Sequence, residues 1–238
     1  MPTTATATLS APDSDAAHAD AYRRLRALIV RGRLAPAARV SEAELAGRFG
    51  ISRTPARAAM HRLLAEGLLS RAGGGARPRV AVPPVSASDA LELYRAAGAL
   101  EGIAARNVAT LAPAARRALA AELRRRERAF REATRRRPLD YDLLFECHDA
   151  VHDALLDACA GPATRALLDT VRPRLDRYEW MYAPLIGPDF RATFREHAAF
   201  IHAVAKGDGA ACERAVRANW FSGGERLARA LERDPAVS

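Results

Sequence analysis

The chain has 238 residues, 49% of them hydrophobic but only 6% aromatic, so it can bury a core, and that core must be mostly Ala, Leu and Val. Three cysteines exclude a disulfide framework, no apolar run reaches the ~18 residues of a membrane span, and the first 20 residues lack a secretory signal, so a cytoplasmic protein is expected. The net charge of +9 is local: 13 arginines face four acidic residues between positions 19 and 84, and a basic excess confined to one region implies a polyanionic partner.

Residues 1–18, rich in Thr, Ala and Ser, predict a disordered tail. A first helix is predicted over about 19–33, with Tyr22, Leu25, Leu28 and Ile29 on one face. Ser41 and Glu44 form a capping box for a short second helix, which turns Leu45 and Phe49 inward and stops at Gly50. Ile51 is expected to be buried in the turn. Ser52 is expected to cap a third helix that takes Pro55 in its first turn and turns Ala56, Ala59, Met60 and Leu63 inward. "EGLLSRAGGGARPRVAV" reads as strand, glycine-rich tip and strand, a small β-hairpin wing ending at Pro83-Pro84.

A short helix, a tight turn and a second helix followed by a wing make a winged helix-turn-helix over 19–84, for which double-stranded DNA is the expected partner, the plainer alternative being an ordinary solvated face on a helical domain. The second helix enters the major groove by its N-terminal end, where free N–H groups also attract phosphate. Arg53 and Arg57 share the outward face, and arginine can bond guanine O6 and N7 with two donors. Ser52 and Thr54 suit phosphate or base contacts, Arg62 meets the backbone, and Gly74, Gly75 and Arg77 of the wing tip reach the adjacent minor groove.

No strand alternation follows Pro84. Breakers at Pro113, Pro138, Gly161-Pro162, Gly187-Pro188 and Gly207 predict helices over about 88–110, 113–135, 139–160, 163–184, 189–206 and 209–232. The fold class is therefore mainly α, with residues 85–235 an antiparallel bundle of six or seven helices. His148 and His152 lie one turn apart, and His197 and Asn219 follow on later helices. Facing one another inside a bundle, these groups suit a divalent metal, Zn or Ni, while the plainer alternative is a set of core histidines. Asp149 is a substitute ligand lying about 100° round the helix from His148. The runs "RRRERAFRE" and "RRRP" read as a solvated outer face, and Cys147 as a buried thiol.

"LIVRGRLAPAARVSEAELAGRFGISRTPARAAMHRLLAEGLLSR" resembles the winged helix-turn-helix domain of the GntR family of bacterial transcription regulators. That resemblance implies that Arg53, Arg57 and the glycine-rich wing tip touch operator DNA. Ala43 and Ala58 stand where the family often has a basic residue and a glutamate. "ALEGIAARNVA", "VHDALLDACAGPA" and "REHAAFIHAVAKGD" resemble the FCD-type effector domain of the FadR subgroup. The subgroup's metal set of an aspartate and three histidines falls on His148, His152, His197 and Asn219, so the outer two positions differ. Its effector arginine falls on Ala97, which leaves Arg95, two residues away, with Arg174 and Tyr178, as candidate contacts for a small-molecule carboxylate. The resemblance implies a homodimeric repressor on a palindromic operator, with no membrane role and no catalysis. The rival readings are a metal-dependent hydrolase, for which Glu196 is the one candidate base, and a non-specific DNA-binding protein.

Overall fold

A computed structural model describes residues 14–72, 79–187 and 189–233. The chain divides into two compact units at Pro83 and Pro84.

The first unit holds α1 (Ser14–Val30), α2 (Glu42–Phe49) and α3 (Arg53–Ala65). α1 begins five residues earlier than expected, at a stretch whose Ala16, Ala17 and Ala19 have the strongest helix propensity. It stops at Val30, ahead of Gly32, which takes φ +66°. Both halves of the capping box are present: Ser41 Oγ accepts from the Glu44 N–H at 3.2 Å, and Glu44 Oε2 accepts from the Ser41 N–H at 3.1 Å. Gly50 closes α2 in the left-handed conformation, as its sequence position requires.

Leu25, Ile29, Leu45, Met60, Leu63, Leu68 and Val82 form the core of this unit. Each large apolar side chain buried is worth about 1.5–3 kcal/mol, which holds helices too short to persist alone. Phe49 and Ile51, both expected inside, are only half-buried, because an eight-residue α2 covers one side of the turn and leaves the other wet. α1 is clamped from its polar side: Arg24 lies 4.3 Å over the Phe49 ring and donates to the Phe49 carbonyl, and Arg62 lies 3.7 Å over Tyr22.

The wing strands are β1 (Ser70–Ala72) and β2 (Arg79–Ala81), antiparallel, with Arg71 opposite Val80. Arg39 adds a single bridge to Ala81. The tip, residues 73–78, lies outside the described residues.

The second unit holds α4 (Ala87–Arg106), a 3₁₀ turn (Asn107–Thr110), α5 (Pro113–Arg135), α6 (Tyr141–Cys159), α7 (Pro162–Ile186), α8 (Arg191–Lys206) and α9 (Gly209–Leu231). The prolines and glycines that end these helices act locally, so the sequence places their boundaries closely. The first differs most, its last turn tightening to the 3₁₀ form. α4 lies close against α9: a Cβ on Gly98 would stand 2.8 Å from Trp220 Cβ, and one on Gly224 2.7 Å from Tyr94 Cβ. That approach lets the Trp220 indole N–H reach the buried Glu101 carboxylate at 2.8 Å. Glu127 meets His197, Arg131 meets Phe194 and Arg116 nears Gly207, so α5 and α8 run antiparallel. Among the described residues, no helix is long and apolar enough to cross a membrane.

Candidate functional site

α3 presents its N-terminal end to solvent. Ser52 has the extended backbone of an N-cap, yet its side chain makes no capping hydrogen bond, contrary to the sequence expectation. Ser52, Arg53 and Thr54 are exposed, while the buried Pro55 fixes the turn beneath them. The Arg57 side chain is 62% exposed and is forked onto Glu42, its Nε and Nη2 each donating at 2.9 Å. Arg62, expected to meet the DNA backbone, has a side chain 61% exposed and also has partners within the unit. It donates to Glu66 at 2.9 Å and covers the Tyr22 ring, because the fourth-residue spacing and α1 together offer it two partners. Gly74, Gly75 and Arg77 lie outside the described residues.

In the second unit the three histidines converge. α6 carries His148 and His152 one turn apart, and α8 brings His197 between them, with ring centroids 4.9, 5.5 and 5.4 Å apart. One ring nitrogen from each falls within a 4.8 Å cluster. Each Nδ1 faces a glutamate from a different helix: Glu101 of α4 at 2.8 Å from His152, Glu127 of α5 at 2.7 Å from His197, and Glu179 of α7 at 3.5 Å from His148. An Nδ1–H donated to a carboxylate leaves the Nε2 lone pair free to bind elsewhere.

The side chains of His152 and His197 are 1% and 0% exposed, and the Nε2 atom of each is buried with no hydrogen-bond partner. Burial, then repulsion from His152 and His197, holds the His148 imidazole well below the usual histidine range. Burial also lowers His197, although the Glu127 carboxylate acts in the opposite direction. A buried acceptor without a partner costs about 1–3 kcal/mol. Neutral imidazoles with free inward nitrogens are the donor set that Zn²⁺ or Ni²⁺ takes, so the residues present fit such an ion.

Asp149 pairs with Arg172 at 2.9 Å, yet one of its carboxylate oxygens also lies within 4.8 Å of a His148 ring nitrogen and of Glu179, and burial pushes its carboxyl up to about 6. Asn219 is buried, its amide donating to Glu196 at 3.0 Å. Glu196 also accepts from Ser222 and Arg226, so the base proposed for a hydrolase is engaged away from the histidines. Cys147 is half-buried rather than buried, and burial pushes the Cys159 and Cys212 thiols up to about 11 and about 12, which leaves them poor nucleophiles.

Beside the histidines lies a cavity of about 60 Å³. Its polar groups are His148, Glu179, Thr193, Asn219 and Arg226, joined by the tyrosine hydroxyls, and its walls are aromatic. Eight of the 14 aromatic residues of the chain line it, both tryptophans included, so the scarce aromatics are concentrated at one place. Burial holds the Glu179 carboxyl well above the usual carboxylate range, with the nearby Asp149 charge adding to the effect.

The three residues expected to contact an effector do not line this cavity. Arg95 is exposed on α4. Arg174 pairs with Asp89, and the Tyr178 hydroxyl accepts from the Ser86 N–H at 3.1 Å and donates to Asp89 at 2.9 Å. Both side chains face the start of α4 because that turn of α7 packs there. The cavity arginine is Arg226 of α9, about two turns beyond Asn219, which the sequence reading missed.

The model of the gntR family of bacterial regulatory proteins matches residues 17–77, and that of the FCD domain matches residues 92–220. BphR, an HTH-type transcriptional regulator of Paraburkholderia xenovorans, is 28% identical over 197 residues, covering 82% of this chain and 79% of that protein. YdhC, an HTH-type transcriptional regulator of Bacillus subtilis, is 35% identical over 83 residues, which are 35% of this chain and only 36% of that protein. Among solved structures, E. coli McbR/YncC superposes with a TM-score of 0.67 at 20% identity, covering 90% of this chain and 97% of that one. A GntR transcriptional regulator from Rhodococcus sp. RHA1 gives 0.65 at 18% identity, covering 89% and 97%. With the FCD match spanning more than half of its length, and with regulators rather than enzymes as relatives, this chain belongs to the gntR family of bacterial regulatory proteins, in the FadR subgroup that carries an FCD domain.

Proposed function

We propose that this DNA-binding transcription regulator acts as a cytoplasmic homodimeric repressor. Its operator affinity is set by a compact organic acid bound in the cavity of the helical unit beside a divalent metal. The observation that carries the DNA reading is the exposed front of α3, where Ser52, Arg53, Thr54 and Arg57 stand clear of the core. A homodimer would present two such helices to half-sites on one face of a palindromic operator.

His148, His152 and His197 would hold the metal, and the metal would supply positive charge and an open coordination position for a carboxylate. Glu101, Glu127 and Glu179 orient the rings. Arg226 and Asn219 reach the acid by hydrogen bonds, and the aromatic walls keep water out. Space of about 60 Å³ is enough for roughly four waters, so the acid is small. Tyr94, Phe130, His148, Glu179, Thr193 and Asn219 come from the six different helices of this unit, so an acid bound among them bears on every one. Regulation requires that the acid favour one arrangement of the protein over another, and such couplings are worth about 5–150-fold in affinity.

The test is to select an operator from a random duplex library and then titrate short carboxylic acids with and without Zn²⁺ or Ni²⁺. A shift in operator affinity of about 5–150-fold with acid and metal together is expected. If no acid moves the affinity, the effector reading falls. If no sequence is enriched, the DNA reading falls.

A further inference from the structure

The fork between Glu42 and Arg57 is not required by the fold. Glu42 is the first residue of α2, whose ends are already fixed by the capping box and by Gly50. Its side chain is 33% exposed and that of Arg57 62%, and an exposed pair of this kind adds little to stability. The geometry is nevertheless specific. Glu42 Oε1 and Oε2 accept from Arg57 Nε and Nη2, which fixes the plane of the guanidinium by its side edge. The end edge, made of Nη1 and the second hydrogen of Nη2, is left facing away from the carboxylate. That edge matches the paired acceptors O6 and N7 of guanine.

Glu42 also lies against the exposed row of α3. Arg53, Arg57 and His61 follow one another at four-residue intervals, and all three act on its carboxyl, which the Arg57 hydrogen bonds hold below the usual range ahead of the Arg57, His61 and Arg53 charges. The charge most able to repel phosphate at this surface is thus set among the groups most able to attract it.

We infer that Glu42 is a specificity-determining positioning residue: it holds the Arg57 guanidinium end-on for a base edge and keeps backbone phosphates from capturing it. The inference rests on the DNA reading above. A pre-oriented arginine loses less freedom when it meets its base, and a carboxylate beside it penalises duplexes that offer only phosphate. Discrimination and non-specific affinity therefore depend on Glu42 with opposite signs.

The test uses the full chain, the selected operator, operators with single base-pair changes, and random duplex at one salt concentration. Glu42→Gln should bind random duplex several-fold more tightly. It should also lose roughly tenfold of discrimination at the base pair to which Arg57→Ala is indifferent. Glu42→Asp, which keeps the charge, should recover part of that loss. In an Arg57→Ala background, Glu42→Gln should change discrimination at no base pair. Equal shifts on operator and random duplex, or a loss of discrimination that persists without Arg57, would overturn the inference. A wild-type protein that prefers no sequence overturns the DNA reading instead.

Discussion

Two of the three clustered imidazoles, those of His148 and His197, are set to stay uncharged as pH falls. The shifts of His148 and His197 are downward, so in the folded protein both remain neutral below the ordinary histidine value of about 6.5. Metal binding competes with protons, and these two positions carry few protons to displace. Zn²⁺ affinity should therefore change by only a few-fold between pH 7.5 and 6.0, where two unshifted imidazoles would lose more than about tenfold. A chelator-competition titration at the two pH values reads this directly. The glutamates have their own consequence. Glu127→Gln removes the carboxylate that orients His197 and should lower Zn²⁺ affinity about 10–100-fold, with metal-free operator binding unchanged. The pairing of His148 with His152 was legible from their one-turn spacing, and His197 joined them through the resemblance to the FCD-type domain. Glu127 was not legible, since it sits in "RRRERAFRE", which reads as a solvated face. Its place four residues after Leu123 and three before Phe130, both buried, is the signal that marks it as inward. Arg174 and Tyr178 misled for the converse reason: they share α7 with the cavity residue Glu179, but which turn faces which neighbour is set by packing and not by the helix's own pattern.

At the scale of elements, the contact of α4 with α9 carries the most consequence for the site. Gly98 lies so close to Trp220 that an added methyl must move the indole's own Cβ, not a flexible chain end. Gly98→Ala should therefore cost about 1–3 kcal/mol by urea unfolding. It should also weaken metal binding, because Trp220 and His152 share the Glu101 carboxylate. Helix boundaries were readable wherever a local breaker acts, as at Pro113, Gly161-Pro162 and Gly207. They drifted where none does: α1 runs back to Ser14 through alanines that give no reason to stop. Ser52 shows the limit of cap prediction. The residue type and backbone are those of a cap, but the hydrogen bond is absent, so the hydroxyl is available at the α3 end.

For the whole molecule, the division of charge and of pattern gave the two-part organisation. The +9 excess of residues 19–84 precedes the point where strand signals end, and the compact units meet at Pro83 and Pro84. The cavity was not readable in the same way. It needs side chains from six helices at once, and no sequence window spans them. What unites both halves is the claim that the exposed arginines of α3 read a particular duplex. The measurement that tests it most directly compares operator with random duplex at fixed salt, for the wild type and for Arg53→Ala/Arg57→Ala, with bound Zn²⁺ measured alongside. The wild type should prefer its operator by about 10³-fold or more, and each alanine should cost about 1–3 kcal/mol on the operator while metal content stays the same. A double variant that keeps the wild-type preference would contradict the account.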